Sequence, residues 1–182
     1  MATLQVEHRD EKAAIVLRKA STKDDFAEFR KLAIEFHDWL QFNLSWRNFK
    51  RSLKKEMDNL PHPYGEPEGF IILAMLNDEL AGCVALKPLP SAIDVHERNM
   101  KVCEMKRLFV RESAQGRGVG RELIEKCIAW GKELHYDLMV LDTIPRLEAA
   151  NSLYQKFGFT PRGAYYGNPV EGVIYYELSL TE

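Results

Sequence analysis

Residues 115–121 of this 182-residue chain read Gln-Gly-Arg-Gly-Val-Gly-Arg. The three alternating glycines, Gly116, Gly118 and Gly120, carry no Cβ, so the main chain can turn its N–H groups outward there. An apolar helical stripe begins directly behind them, so the turn opens a helix. The first N–H groups of a helix lack partners, and the positive end of its dipole points the same way, which makes an anion site. Arg117 and Arg121 add charge beside it, and the stretch Gln115 to Arg121 is expected to hold a phosphate. A nucleoside-triphosphate loop would need Gly-Lys-Ser or Gly-Lys-Thr, which does not follow these glycines. A dinucleotide fingerprint would need G-x-G-x-x-G and an acidic residue about 20 positions on. Asp142 stands near that distance, but the spacing here is G-x-G-x-G, and too little chain remains for the further βα units. A structural strand–turn–helix corner is the plain alternative.

The elements that must position this turn lie on either side of it. Before it, Val102, Glu104, Lys106, Leu108 and Val110 alternate with Cys103, Met105, Arg107 and Phe109, the period of a strand. After it, Val119, Leu123, Cys127, Trp130 and Leu134 recur every three or four residues, one face of a helix. Farther on, a short apolar run from Asp137 to Asp142 (DLMVLD) reads as a strand buried on both faces. A helix follows from about Arg146 to Phe157, ended by Gly158.

The downstream run Ala150-Asn-Ser-Leu-Tyr-Gln-Lys-Phe-Gly-Phe159 settles the choice between ligands. Together with Gln115-x-x-Gly118-x-Gly120 it resembles the GNAT superfamily of N-acetyltransferases, whose glycine turn takes the pyrophosphate of acetyl-CoA. The resemblance runs from about Ile15 to Leu180 and takes in Ala81-Gly-Cys-Val-Ala-Leu86, Asn168-Pro169 and Tyr176-Glu-Leu-Ser-Leu180. It implies an α/β (α+β type) GNAT-like fold, a mixed, mostly antiparallel central sheet with helices on both faces. The reaction it implies is acetyl transfer from acetyl-CoA to an amine, directly in a ternary complex, with acetyl-CoA as cosubstrate and no metal. The acceptor implied is a small-molecule or peptide amine, and a homodimer is left open. A binding module that senses acyl-CoA without turnover is the alternative from another class.

Site residues follow from the resemblance position by position. Gln115, Gly116, Arg117, Gly118, Val119, Gly120 and Arg121 would hold the pyrophosphate. The main chain of Leu108, Phe109 and Val110 would pair with the pantetheine amides, because an open strand edge accepts an amide-bearing arm as another strand. A main-chain N–H near Leu108 or Phe109 would meet the oxyanion. An alkylamine is mostly protonated at neutral pH and needs a base. Glu104, eleven positions before Gln115, is the catalytic base implied, and its pairing with Lys106 on the same strand face is the structural alternative. Tyr154 is the acid for the departing thiolate, or else a core ring. Asn151, one helical turn earlier, would bond the pantetheine arm, although many members carry that asparagine where this chain has Leu147. On the acceptor side, His62, Tyr64, Tyr166 and Asn168 lie in loops that the fold could bring near the thioester.

The rest of the chain bounds these readings. Residues 1–12 are polar and expected to be loosely held, leaving a single domain over 13–182. A net charge of −2 provides no general field for nucleic acid. No apolar run approaches the roughly 20 residues of a membrane span, and no secretory leader opens the chain. Three cysteines, Cys83, Cys103 and Cys127, an odd number set within element patterns, point to free thiols in a reducing cytoplasm. No metal-ligand spacing appears among the five histidines. A strand at Ala13–Lys19 precedes a helix capped by Thr22 to Asp25, and Ser45 caps a second helix. Arg47, Lys50, Arg51, Lys54 and Lys55 on that second helix read as a solvated face. Strands follow at Phe70–Leu76 and Leu80–Lys87, the second broken by Pro88 and Pro90. A loop runs from Pro88 to Met100, longer than in many members of the family, and the closing pair is Phe159–Tyr165 and Val173–Leu180.

Overall fold

The computed structural model describes residues 14–41, 47–89, 99–168 and 170–181. The expectations for residues 1–12, Ser45, Pro90 and most of the long loop before the central strand lie outside them. In chain order the elements are β1 (Ile15–Lys19), α1 (Lys23–Gln41), α2 (Arg47–Asp58), β2 (Phe70–Leu76), β3 (Glu79–Pro88) and β4 (Val102–Val110). These are followed by α3 (Val119–Glu133), β5 (Leu138–Thr143), α4 (Glu148–Lys156), β6 (Thr160–Arg162) and β7 (Ile174–Ser179). One seven-stranded sheet runs in the order β1-β2-β3-β4-β5-β7-β6. Among the described residues β4 and β5 are the parallel neighbours, and the other five pairs are antiparallel. The mixed, mostly antiparallel sheet with helices on both faces is the architecture expected from the sequence.

The helices divide between the two faces. Phe29, Leu32, Leu53 and Met57 of α1 and α2 pack on Ile71, Leu73, Cys83 and Ala85. Val119, Leu123 and Cys127 of α3, with Tyr154 of α4, pack on the alternate residues Ile72, Ala74, Val84 and Leu86. Because both faces are covered, β2 and β3 read as continuous apolar runs. Helix α1 begins in a reciprocal cap: the Asp25 carboxylate accepts from Ser21 N and Thr22 N at 2.9 Å, and Asp25 N donates to Thr22 Oγ1 at 3.2 Å. Such a cap is worth about 1 kcal/mol and fixes where the helix leaves β1.

Two departures from the sequence reading matter for the site. Strand β6 is three residues long, not seven. It is the outer strand, where Pro161 is tolerated, and the chain then leaves the sheet edge, so that Tyr165 turns back over the sheet face. The second departure is in β4, whose strict alternation does not persist. Cys83 pairs with Phe109 but Ala85 pairs with Lys106, so Val84 alone faces two residues, Arg107 and Leu108. This β-bulge reverses the parity of the strand. Leu108 and Val110 therefore pack in the same cluster as Cys103 and Met105, and Phe109 turns to the α1 side against Phe36.

Candidate functional site

The bulge is held by side chains. Arg107 has φ +57°, a left-handed conformation that costs a non-glycine residue about 1–2 kcal/mol. Its guanidinium forks onto Glu56 of α2 at 2.9 and 2.6 Å, and Tyr64 donates to the same carboxylate at 2.6 Å. Burial works against ionisation of Glu56, but the Arg107 bonds outweigh it and hold the carboxyl below its usual range. Burial likewise pushes the Tyr64 phenol well up. On the opposite strand, a Cβ at Gly82 would stand 2.6 Å from the Phe109 carbonyl oxygen, so only glycine permits this approach.

What the bulge produces is a gap. The parallel ladder between β4 and β5 consists of Val102 with Leu138, Cys103 with Met139 and Glu104 with Val140. Beyond Glu104 the two strands continue, to Val110 and Thr143, with no pairing between them among the described residues. The β5-facing main chain of Leu108, Phe109 and Val110 is therefore an open edge inside the sheet.

At the end of β4 the chain makes a single 3-10 turn and enters the glycine stretch. Gly116 and Gly118 have φ +72° and +90°. Gly118 is the N-cap of α3, and among the described residues no side chain caps the helix, so its leading N–H groups are available to an anion. Arg117 and Arg121 are exposed beside it. Gln115 folds back, its amide donating to the Val110 carbonyl at 3.1 Å, which ties the turn to the open edge. Val119 is buried in the core, and Gly120 lies against Leu153 of α4 and Val110.

On the α3 and α4 side of the gap stand Thr143, Asn151 and Tyr154. Thr143 Oγ1 and Asn151 Oδ1 are buried and have no partner among the described residues, although the Asn151 amide donates to the Ile144 carbonyl at 2.9 Å. Buried orphans of this kind call for a ligand group or water. Tyr154 is buried against Phe159 and Tyr176. Burial first and the Asp142 charge second push its phenol up, so it keeps its proton at neutral pH.

The other side of the gap carries charge. Glu104 is buried, and its Oε1 accepts from Tyr165 at 2.7 Å and from Lys106 at 3.0 Å, while Oε2 meets Lys87 at 2.9 Å. The pairing of Glu104 with Lys106 read from the strand face is thus present, and Lys87 joins it. A carboxylate has about four acceptor sites, so the three donors among the described residues leave one, on Oε2. Lys106 also reaches Asp142 Oδ1 at 2.6 Å, and Asp142 Oδ2 accepts from Tyr166 at 3.0 Å and Asn168 at 3.1 Å. Of the four acceptor-side candidates, Tyr166 and Asn168 join this cluster. Tyr64 stands behind Arg107, and His62 is exposed in the loop before β2. Sequence reasoning assigned no role to Lys87, Asp142 in this setting, Thr143 or Tyr165. The signal for the first two was a charge near the end of a mostly apolar strand; Thr143 and Tyr165 gave none.

The family model for the acetyltransferase (GNAT) family matches residues 34–159. An uncharacterized N-acetyltransferase of Schizosaccharomyces pombe is 33% identical over 159 residues, covering 87% of this chain and 90% of its own. A GNAT-family acetyltransferase from Staphylococcus aureus Mu50 superposes with a TM-score of 0.71 at 20% identity, over 92% of this chain and all of the other. The YncA protein of Salmonella typhimurium, solved with its cofactor acetyl-CoA, gives 0.63 at 17% identity, over 93% and 95%. The extent of the family match and the identity to the yeast relative decide the matter: this chain belongs to the acetyltransferase (GNAT) family.

Proposed function

We propose that the chain transfers an acetyl group from acetyl-CoA to an amine, directly, within a ternary complex. The observation that carries this reading is the gap between β4 and β5 beyond Glu104, with a glycine-capped helix following β4. The residues present fit the cosubstrate: the turn Gln115 to Arg121 suits its phosphates, and the open edge of Leu108, Phe109 and Val110 suits its amides. The orphaned Thr143 hydroxyl and Asn151 oxygen offer further partners. When bound, acetyl-CoA supplies the activated acyl group.

The chain's own residues do the rest. Glu104 lies on the α1 side of the gap and Tyr154 on the α4 side. The amine approaches from the first and the thiol leaves toward the second. As the N–C bond forms and the C–S bond breaks, the amine's proton passes to Glu104 through its remaining acceptor site, and the Tyr154 hydroxyl gives its proton to the thiolate. A main-chain N–H at Leu108 or Phe109 faces the charge developing on the acyl oxygen. Burial makes Tyr154 a weaker acid than a free phenol, but the same burial raises the proton affinity of a thiolate beside it, so the transfer is not disfavoured further. The three buried free thiols suit a reducing, cytoplasmic setting.

The test is free-thiol release from acetyl-CoA with amino acids, polyamines, aminoglycosides and peptides bearing free amines. Acceptor-dependent release is expected, lowered about a hundredfold or more in Glu104→Gln. Acetyl-CoA binding by thermal shift with no release for any amine would replace this reading with a non-catalytic sensor.

A further inference from the structure

Where the main-chain ladder between β4 and β5 stops, a side-chain bridge begins. The last paired residues are Glu104 and Val140, and two positions further along each strand stand Lys106 and Asp142. Their side chains meet at 2.6 Å, on the α1 side of the gap. The Lys106 ammonium is at the same time 3.0 Å from Glu104 Oε1 and lies 5.7 Å from the centre of the Tyr166 ring. Asp142 is the hub of a second set of bonds. Tyr166 and Asn168 both donate to its Oδ2, and Asn168 also bonds the Tyr166 hydroxyl at 2.8 Å. Asn168 Oδ1 accepts from Val170 N at 3.0 Å, and the Tyr166 carbonyl accepts from Tyr175 at 3.1 Å. The connection between β6 and β7 is thus tied to the sheet at two carboxylates, by Tyr166 and Asn168 at Asp142 and by Tyr165 at Glu104, and Lys106 bridges the two across the gap.

We propose that Lys106 is a positioning residue, whose ammonium clasps Glu104 of β4 to Asp142 of β5 and so holds both the width of the gap and the Tyr166–Asn168 wall beside it. Burial opposes the ammonium, but the two carboxylates outweigh it and keep the Lys106 pKa above its ordinary value, so the clasp remains charged at neutral pH. Lys106 touches none of the groups that exchange the acyl unit. It acts through Glu104, whose orientation it shares with Tyr165 and Lys87, and through the wall that an amine would pass. The positioning role rests on the acetyl-transfer reading; the clasp as a structural device does not.

The test uses the full chain with Lys106→Met, Lys106→Arg and the double variant Lys106→Met/Asp142→Asn. Hydrogen exchange reads the amides of the connection between β6 and β7. Thiol release from acetyl-CoA reads turnover with whichever panel amine the unaltered chain uses fastest. Lys106→Met should speed exchange in that connection at least tenfold and lower kcat at least tenfold, while the melting shift produced by acetyl-CoA stays the same. Lys106→Arg should recover part of both. The double variant leaves no unpaired carboxylate at Asp142, so it keeps the test alive if Lys106→Met does not fold, and it should show the same loosened wall. Unchanged exchange in Lys106→Met and in the double variant would overturn the clasp. Loss of the acetyl-CoA shift together with activity would overturn the positioning role, since Lys106 would then act on the cosubstrate. A chain that acetylates no amine would refute the transfer reading, while the exchange measurement would still decide the clasp.

Discussion

Gly118→Asp is the sharpest probe of the glycine turn. At φ +90° any L-residue is strained by about 1–2 kcal/mol, with aspartate toward the lower end. There is no steric addition among the described residues, where a Cβ at Gly118 meets Ile15 Cδ1 at 3.7 Å, an ordinary contact. A carboxylate at the start of α3 gains about 0.3–1 kcal/mol from the helix dipole. The net cost to the fold is therefore about 1 kcal/mol, or roughly 2–4 °C in Tm for a chain of this size. The effect on a pyrophosphate is much larger. One unit charge about 4 Å from another costs about 4 kcal/mol at the effective dielectric of a protein surface, near a thousandfold in Kd.

These magnitudes separate cleanly in a melting experiment with and without acetyl-CoA. At a concentration of about 100 times Kd the unaltered chain should gain about 2.7 kcal/mol, or roughly 5–11 °C. In Gly118→Asp the same concentration falls to about a tenth of Kd, and the ligand shift should vanish while the unliganded Tm moves only slightly. Gly118→Asn has the same shape, tolerates left-handed φ and carries no charge, so it should keep most of the shift. If Gly118→Asp retains the shift, the pyrophosphate does not sit at this turn. If Gly118→Asn loses as much as Gly118→Asp, space rather than charge decides, and the electrostatic argument fails.

Three other outcomes are expected. The carboxyls of Glu56, Asp142 and Glu35 are held below their usual values in spite of burial, by Arg107, Lys106 and Arg111 respectively. The unfolded chain therefore takes up protons first, so their stabilisation is complete above about pH 4–5 and is lost as pH falls through the lower folded values. Urea unfolding at pH 7, 5, 4 and 3 should show this fall, reduced in Glu56→Gln, and a flat profile would contradict it. Tyr154→Phe should stay within about 1 kcal/mol of the unaltered stability and lose about a hundredfold in kcat; equal activity would leave Tyr154 a core ring only. Cys83, Cys103 and Cys127 are buried with thiols pushed up by burial, so a disulfide reagent at neutral pH should titrate none of them until the chain is unfolded.

The glycine turn was legible because its chemistry is local: Gly116 and Gly118 need positive φ, and the helix behind them declares itself within four residues. The element order and the Thr22–Asp25 cap were legible for the same reason. The bulge was not. Val102 to Val110 reads as one strand of period two, the adjacent Lys106 and Arg107 interrupting its polar–apolar order before Leu108, and the residue with left-handed φ, Arg107, is an arginine rather than a glycine. Its conformation is imposed by Glu56, which lies 51 positions away on a helix. The charged side of the gap was hidden by the same kind of distance. Lys106 and Asp142 are 36 residues apart, and Tyr165 reaches Glu104 across 61. Local propensity cannot report such pairs, but charge within a central strand can: a lysine and an aspartate partly buried in neighbouring strands must find each other or a ligand, because either alone is costly. In this chain they find each other two positions beyond the last paired residues of β4 and β5, where the main-chain ladder has stopped.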